Sequence, residues 1–348
     1  MKPEEVRALP KVLLHDHLDG GLRPQTILDL ASDAGYDRLP FDDAASLARW
    51  FHQDGSFSLE RYLEAFAHTF GVMQTPQAVA RVAYEAASDL AAEGVVYAEI
   101  RFAPTLHLER GMSRTDVLEA AIDGFSRAEA DTGLPVRILV DALRQQDDSV
   151  EVAEAAASFA GEGVVGFDLA GPEAGFPPSL HAEAIEIARR GGLRITIHAG
   201  EGDGVGSIRA ALDQGAERIG HGARIIEDTT VEDGEIVELG PVATEVRDRG
   251  IALELCPYSN LDTGMYPTAA DHPIGLLYRA GFTTTINTDN RLMSATSMSR
   301  EFTLAVEDQG FDRDDLRAIT LNAVEAAFCD EETRSRVRER VEAGYANG

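Results

Sequence analysis

Lysine is almost missing from this chain. It occurs twice in 348 residues, at Lys2 and Lys11, and every other basic side chain is arginine. A carbamylated lysine bridging two metals from the middle of the sequence is therefore excluded. Cysteine is equally scarce. Cys256 and Cys329 are the only two, too few for a disulfide scaffold and not spaced as a C-x-x-C pair, so a reduced, cytoplasmic protein is the expectation. No run of about 18 apolar residues occurs, so no membrane span is expected, and residues 12–14 are too short for the apolar part of a secretion signal. Positive charge is in deficit: 31 Lys and Arg face 60 Asp and Glu, a formal charge of −29. Nucleic-acid binding, which needs a basic footprint, is excluded as a role. Anionic membranes and heavily phosphorylated substrates are disfavoured for the same reason.

What is present is ample apolar material, 44% of the chain, enough for one large α/β domain over residues 1–348. Short β-rich runs at 12–15, 95–101, 136–141, 164–169, 194–198, 218–221, 251–256 and 283–287 alternate with longer helical stretches. Gly94, Gly163, Gly192, Gly250 and Gly281 stand just before five of these runs, as expected where a helix ends and a buried strand begins. Eight such units predict a closed (β/α)8 TIM barrel with its site at the C-terminal strand ends. One long helical insertion, residues 18–93, follows the first strand. Within it, 51–70 reads as one amphipathic helix with Leu59, Tyr62, Leu63 and Phe66 on one face, suited to packing on the barrel rim and to forming a lid or pocket wall. After the last strand, 299–330 and 331–346 read as extra C-terminal helices.

The polar residues at the strand ends carry the chemistry. His15 and His17 end the first run in Lys11-Val-Leu-Leu-His-Asp-His-Leu-Asp-Gly20. Alternation along a strand points residues i and i+2 to one face, so two imidazoles at this spacing can share one ion. His198 ends the fifth run, His221 the sixth, and Asp289 follows the eighth. Three imidazoles and a carboxylate suit a borderline ion such as Zn²⁺, which lowers the pKa of bound water towards about 7. With no lysine at a mid-barrel strand end, a single ion is favoured over a bridged pair. The Cys-ligated P-C-x-x-C deaminase design is absent as well.

Six motifs in order, His15-Asp-His-Leu-Asp-Gly20, Leu169-Ala-Gly-Pro-Glu173, His198-Ala-Gly-Glu201, Gly220-His-Gly222, Cys256-Pro-Tyr-Ser-Asn260 and Asn287-Thr-Asp289, resemble those of the metal-dependent adenosine deaminase family. The resemblance implies zinc ligation by His15, His17, His198 and Asp289. It implies that Glu201 protonates purine N1, that hydroxide attacks C6 with Asp289 and His221 orienting it and handling its proton, and that ammonia leaves. It also implies that the Gly171 backbone approaches purine N3, where a side chain would crowd the ligand, and that Asp19 binds the ribose 5′-hydroxyl. The remaining histidines, 52, 68, 107, 181 and 272, are read as structural.

One departure concerns substrate choice. The family usually has a second aspartate after Asp289, contacting purine N7. Here it is Asn290, whose amide N–H can donate to N7 directly. The expected substrate is adenosine, with 2′-deoxyadenosine. Aminodeoxyfutalosine is the alternative, and adenine is disfavoured because Asp19 offers a ribose contact. A non-catalytic nucleoside-binding relative would have lost Glu201 or a ligand, and neither is lost. The oligomeric state is left open.

Overall fold

The computed structural model describes residues 1–52 and 59–346, with the backbone alone over 59–64. Among the described residues there are ten strands: β1 (Lys11–Leu13), β2 (Val95–Phe102), β3 (Val136–Leu143), β4 (Val164–Ala170), β5 (Arg194–Ala199), β6 (Arg218–His221), β7 (Thr229–Glu232), β8 (Glu235–Leu239), β9 (Ala252–Leu255) and β10 (Thr284–Ile286). Eight of them form one parallel sheet in the order β1-β2-β3-β4-β5-β6-β9-β10. Their residues are buried almost throughout, as strands covered by helices on one side and filled by side chains on the other must be. All five junction glycines have positive φ, from 64° at Gly250 to 113° at Gly163.

The sheet curls into a barrel, and its seam lies at the strand ends. Asp289 N–H donates to the His15 carbonyl at 3.0 Å, and His17 N–H donates to the Asp289 carbonyl at 2.7 Å. Just below, Leu14 N–H donates to the Asn287 side-chain Oδ1 at 2.9 Å instead of a neighbouring backbone. That substitution explains why regular pairing in β1 stops at Leu13, short of the expected 12–15.

Helices between the strands start where their caps dictate. The Thr75 hydroxyl accepts from Ala78 N–H ahead of helix Pro76–Ala92, and Ser113 and Asp116 form a reciprocal capping box ahead of helix Arg114–Thr132. Two readings are corrected and one element is added. Residues 51–70 are not one helix: Ala44–Phe51 ends at His52, and a second helix begins at Leu59. Residues 299–330 are two helices, Met298–Glu307 and Arg313–Ala326, separated by Gly310 at φ 73°. The antiparallel hairpin β7–β8 was not foreseen. Its turn is Asp233-Gly234, both at positive φ (49° and 79°), the dipeptide such a two-residue turn prefers.

The barrel interior holds charge as well as hydrocarbon. Arg101 pairs with Asp168 at 2.5 Å and Glu254 at 2.6 Å, and Arg218 pairs with Glu254 and Glu99, each at 2.6 Å. All five side chains are within 1% of complete burial. Each guanidinium fork bridges two carboxylates, which a lysine point charge would not do as well.

Candidate metal centre and active site

The upper end of that charge ladder carries the histidines. His15 Nδ1 lies 3.0 Å from Glu254 Oε2, His198 Nδ1 2.8 Å from Asp168 Oδ2, and His17 Nδ1 3.4 Å from Asp141 Oδ2. Each ring is thus backed by a carboxylate on one nitrogen and presents the other, Nε2, to a common point. His17 Nε2 and His198 Nε2 are 3.3 Å apart. Asp289 Oδ1 is 3.4 Å from His15 Nε2 and 3.3 Å from His17 Nε2. One ligand atom from each of His15, His17, His198 and Asp289 lies within 4.8 Å of the others. Among the described residues, the buried His15 Nε2 has no hydrogen-bond partner.

Two nitrogens facing each other, a third without a partner and a carboxylate between them form a donor set that fits a single cation. The carboxylates behind the rings are the partners that fix ligand tautomer and orientation in metal sites. The local field agrees. Burial opposes a charge on His17, yet Asp141, with Asp289 and Asp19 adding, raises its pKa to about 9. Burial also works against ionised Asp168 and Glu254, but His198 and Arg101 hold Asp168, and Arg101 and Arg218 hold Glu254, well below the usual carboxylate range.

Glu201 stands beside this cluster, with Oε2 3.5 Å from His221 Nε2. Burial raises its pKa, opposed by His221 and reinforced by the Asp289 and Glu173 charges. The protonated form is therefore accessible nearer neutrality than for a free glutamate. Asp289 Oδ2 accepts from the Ser259 hydroxyl at 2.5 Å. Both His221 (φ 59°) and Asp289 (φ 56°) occupy the left-handed region, a strained conformation for such residues and one concentrated at functional sites.

The structure brings together His15, His17, His198, Glu201, His221 and Asp289. Asp19 is buried nearby, and burial, with Asp141 and Asp16 adding and His17 opposing, raises its pKa to about 7. Asn290 packs on Gly20, where an added Cβ would fall 2.0 Å from Asn290 Oδ1, so the missing side chain at Gly20 makes room for it. Gly171 has φ 92°, and an added Cβ there would meet Gln145 Oε1 at 2.5 Å. Its need for glycine thus comes from backbone conformation and from a protein neighbour. Phe66 stacks on Phe70 with ring centroids 5.5 Å apart. The Leu59, Tyr62 and Leu63 side chains lie outside the described residues.

Sequence reading missed the residues behind the site. Besides Asp141, Asp168 and Glu254, it gave no role to Glu173. That buried carboxylate accepts from three successive backbone N–H groups, Gly200 (2.8 Å), Glu201 (2.9 Å) and Gly202 (2.7 Å), and so holds the loop that carries Glu201. Arg144 supports the same region by donating to the His198 and Phe176 carbonyls.

Residues 10–344 match the sequence profile of the adenosine deaminase family. The chain belongs to the adenosine deaminase family. An adenosine deaminase from Mycobacterium ulcerans is 52% identical over 346 residues, covering 97% of this chain and 95% of that one. Among solved structures, an amidohydrolase from Burkholderia ambifaria with bound Zn superposes with a TM-score of 0.87 at 26% identity, covering 99% of this chain and 92% of that one. An adenine deaminase from Arthrobacter aurescens gives 0.86, also at 26% identity, covering 96% and 98%. As a member of this metal-dependent family, the chain has a His/Asp cluster able to hold an ion. Among the described residues, no helix is long and apolar enough to cross a membrane.

Proposed function

We propose that this chain converts adenosine, and 2′-deoxyadenosine, with water to inosine and ammonia, as a cytoplasmic enzyme of purine salvage. The observation that carries the reading is the four-donor cluster with the Glu201 carboxyl beside it. The 52% identity to the M. ulcerans adenosine deaminase, against 26% to the adenine deaminase, favours the nucleoside over the free base. Two free cysteines accord with a reducing compartment.

His15, His17, His198 and Asp289 would hold one Zn²⁺ per subunit, supported by the nitrogen-rich donor set and by the zinc in the B. ambifaria relative. Bound there, the ion supplies Lewis acidity that makes water nucleophilic near neutral pH. Glu201 then gives its proton to purine N1, which breaks the ring's conjugation and makes C6 electrophilic. His221, next to Glu201, and Asp289, anchored by Ser259, orient the attacking oxygen. Asp19 receives the ribose 5′-hydroxyl, the exposed Gly171 backbone meets N3, and Asn290 donates to N7. The insertion 18–93, with Leu59, Tyr62, Leu63 and Phe66, serves as the lid. Contact between its helix Leu59–Val72 and the turn Leu18–Gly20 beside the site supports that role.

The test is a competition among adenosine, deoxyadenosine, adenine, AMP and aminodeoxyfutalosine at equal concentration, with ammonia and product followed. Adenosine turning over fastest supports the reading, and a preference for aminodeoxyfutalosine replaces it. In the same assay Glu201→Gln is expected to retain zinc while losing orders of magnitude in turnover. Loss of the metal instead would remove Glu201 from the acid role.

A further inference from the structure

His272, read from sequence as merely structural, lies at the head of a buried hydrogen-bond chain that ends in the site. Ile274 N–H donates to His272 Nδ1 at 3.2 Å. His272 Nε2 lies 3.1 Å from Asn260 Oδ1, and Asn260 Nδ2 lies 3.1 Å from His221 Nδ1. His272, Asn260 and His221 are each no more than 1% exposed, so water does not offer alternative partners.

The chain runs in one direction only. A main-chain N–H can donate but never accept, so His272 Nδ1 must be bare of hydrogen. The neutral ring then carries its proton on Nε2 and donates it to Asn260 Oδ1. With its oxygen engaged, Asn260 turns its NH₂ to His221, which must accept at Nδ1. The proton of neutral His221 is therefore on Nε2, facing Glu201. Burial, with His221 nearby, lowers the His272 pKa to about 3, which accords with the neutral ring this logic needs. The Asn260 backbone is fixed as well, donating to the Cys256 carbonyl at 3.0 Å and accepting from Met265 N–H at 2.9 Å.

We propose that Asn260 and His272 are positioning residues that hold His221 as the Nε2–H tautomer, making it a hydrogen-bond donor to the reacting oxygen and not the acceptor of its proton. The family resemblance implies that Asp289 and His221 handle the proton together, and the hydrogen-bond chain takes His221 out of that role. In this tautomer the imidazole keeps its own proton and has no free nitrogen with which to take one from water. The inference rests on the reading of His221 as part of the reacting site, but its primary measurement does not depend on the substrate.

That measurement is two- and three-bond ¹H–¹⁵N correlation on the zinc-loaded, full-length chain labelled at histidine, with His221 assigned by its loss in His221→Gln. A protonated Nε2 and a bare Nδ1 are expected, and a proton on Nδ1 overturns the proposal. Asn260→Asp replaces the donor by an acceptor, so His221 must move its proton to Nδ1. A wrong tautomer at a catalytic imidazole costs orders of magnitude, so kcat is expected to fall by about 100-fold with zinc content unchanged. An inverted tautomer with kcat within threefold of the parent would refute the positioning role. His272→Phe removes the first donor and is expected to give mixed tautomers and about tenfold lower kcat, while His272→Gln, which keeps an N–H, recovers both. If His272→Phe leaves the His221 tautomer unaltered, His272 has no part in the chain and the proposal fails. Should Asn260→Asp not fold, the native spectrum and the His272 pair decide. Failure of the substrate reading would appear separately, as an absence of adenosine turnover in the parent.

Discussion

Replacing Glu173 by Gln tests whether the loop bearing Glu201 is held by the carboxylate beneath it. The carboxylate accepts from three N–H groups, with Oε2 serving Gly200 and Oε1 serving Glu201 and Gly202. A glutamine keeps one oxygen for two of them and turns its NH₂ towards the third, donor against donor. Losing a bond to a charged acceptor costs about 1.5–3 kcal/mol, and an unpaired buried N–H about 1–3 kcal/mol. Because these overlap, the sum is about 2–4 kcal/mol. Unfolding entropy near 2.1 cal/mol/K per residue gives about 0.7 kcal/mol/K for this chain, so Tm is expected to fall by about 3–6 °C. Displacing Glu201 by a fraction of an ångström is expected to lower kcat by about 10- to 100-fold. Metal content should hold, since the His198 ring is fixed separately by Asp168. Calorimetry, ultraviolet assay of adenosine loss and metal analysis read the three quantities. A Tm drop under one degree with unaltered kcat would refute the reasoning, as would metal loss equal to the activity loss.

Asp168→Asn is expected to weaken zinc binding by about 10- to 100-fold in a chelator competition, because the carboxylate behind His198 goes, and unchanged affinity would separate the ladder from the metal. Glu301 is fully buried, accepting from Thr296 Oγ1 and Tyr258 N–H, and burial raises its pKa to about 8 from the ordinary 4.5. Its folded-state proton is held more tightly than its unfolded one. The stability it contributes is complete below pH 4.5 and lost as pH rises through 8. Glu301→Gln should therefore gain on the parent in urea unfolding between pH 5 and 9, by on the order of 3–5 kcal/mol, and a flat difference would rule out this titration. Asn290→Asp is expected to change KM for adenosine more than metal content, and an unchanged KM would remove Asn290 from the purine pocket.

The barrel and its donor residues were legible because both are written locally. Strand runs, the glycines before them and the His15/His17 alternation depend on near neighbours in sequence. The supporting residues were not legible, since each acquires meaning only from a partner brought close by folding. Glu254 backs His15 across 239 positions, and Arg101 meets Glu254 across 153. Glu173 reads as an ordinary acidic loop residue until the three amides converge on it. His272 lacks any motif of its own, and only the Ile274 N–H and Asn260 reveal its direction. The hairpin was different. Asp233-Gly234 between alternating residues is a usable local signal for a two-residue hairpin turn, though a barrel pattern leads one to expect a helix between strands.

The ladder of Glu99, Arg218, Glu254, Arg101 and Asp168 has a consequence for how this protein can change. Its central members each answer two partners, and stranding one charge in a dry interior costs about 3–5 kcal/mol. No single neutral replacement is therefore a small step. These five positions must drift in concert or not at all. In a selection from a comprehensive substitution library they should appear as a frozen block, surrounded by surface arginines such as Arg127 and Arg190 that exchange freely.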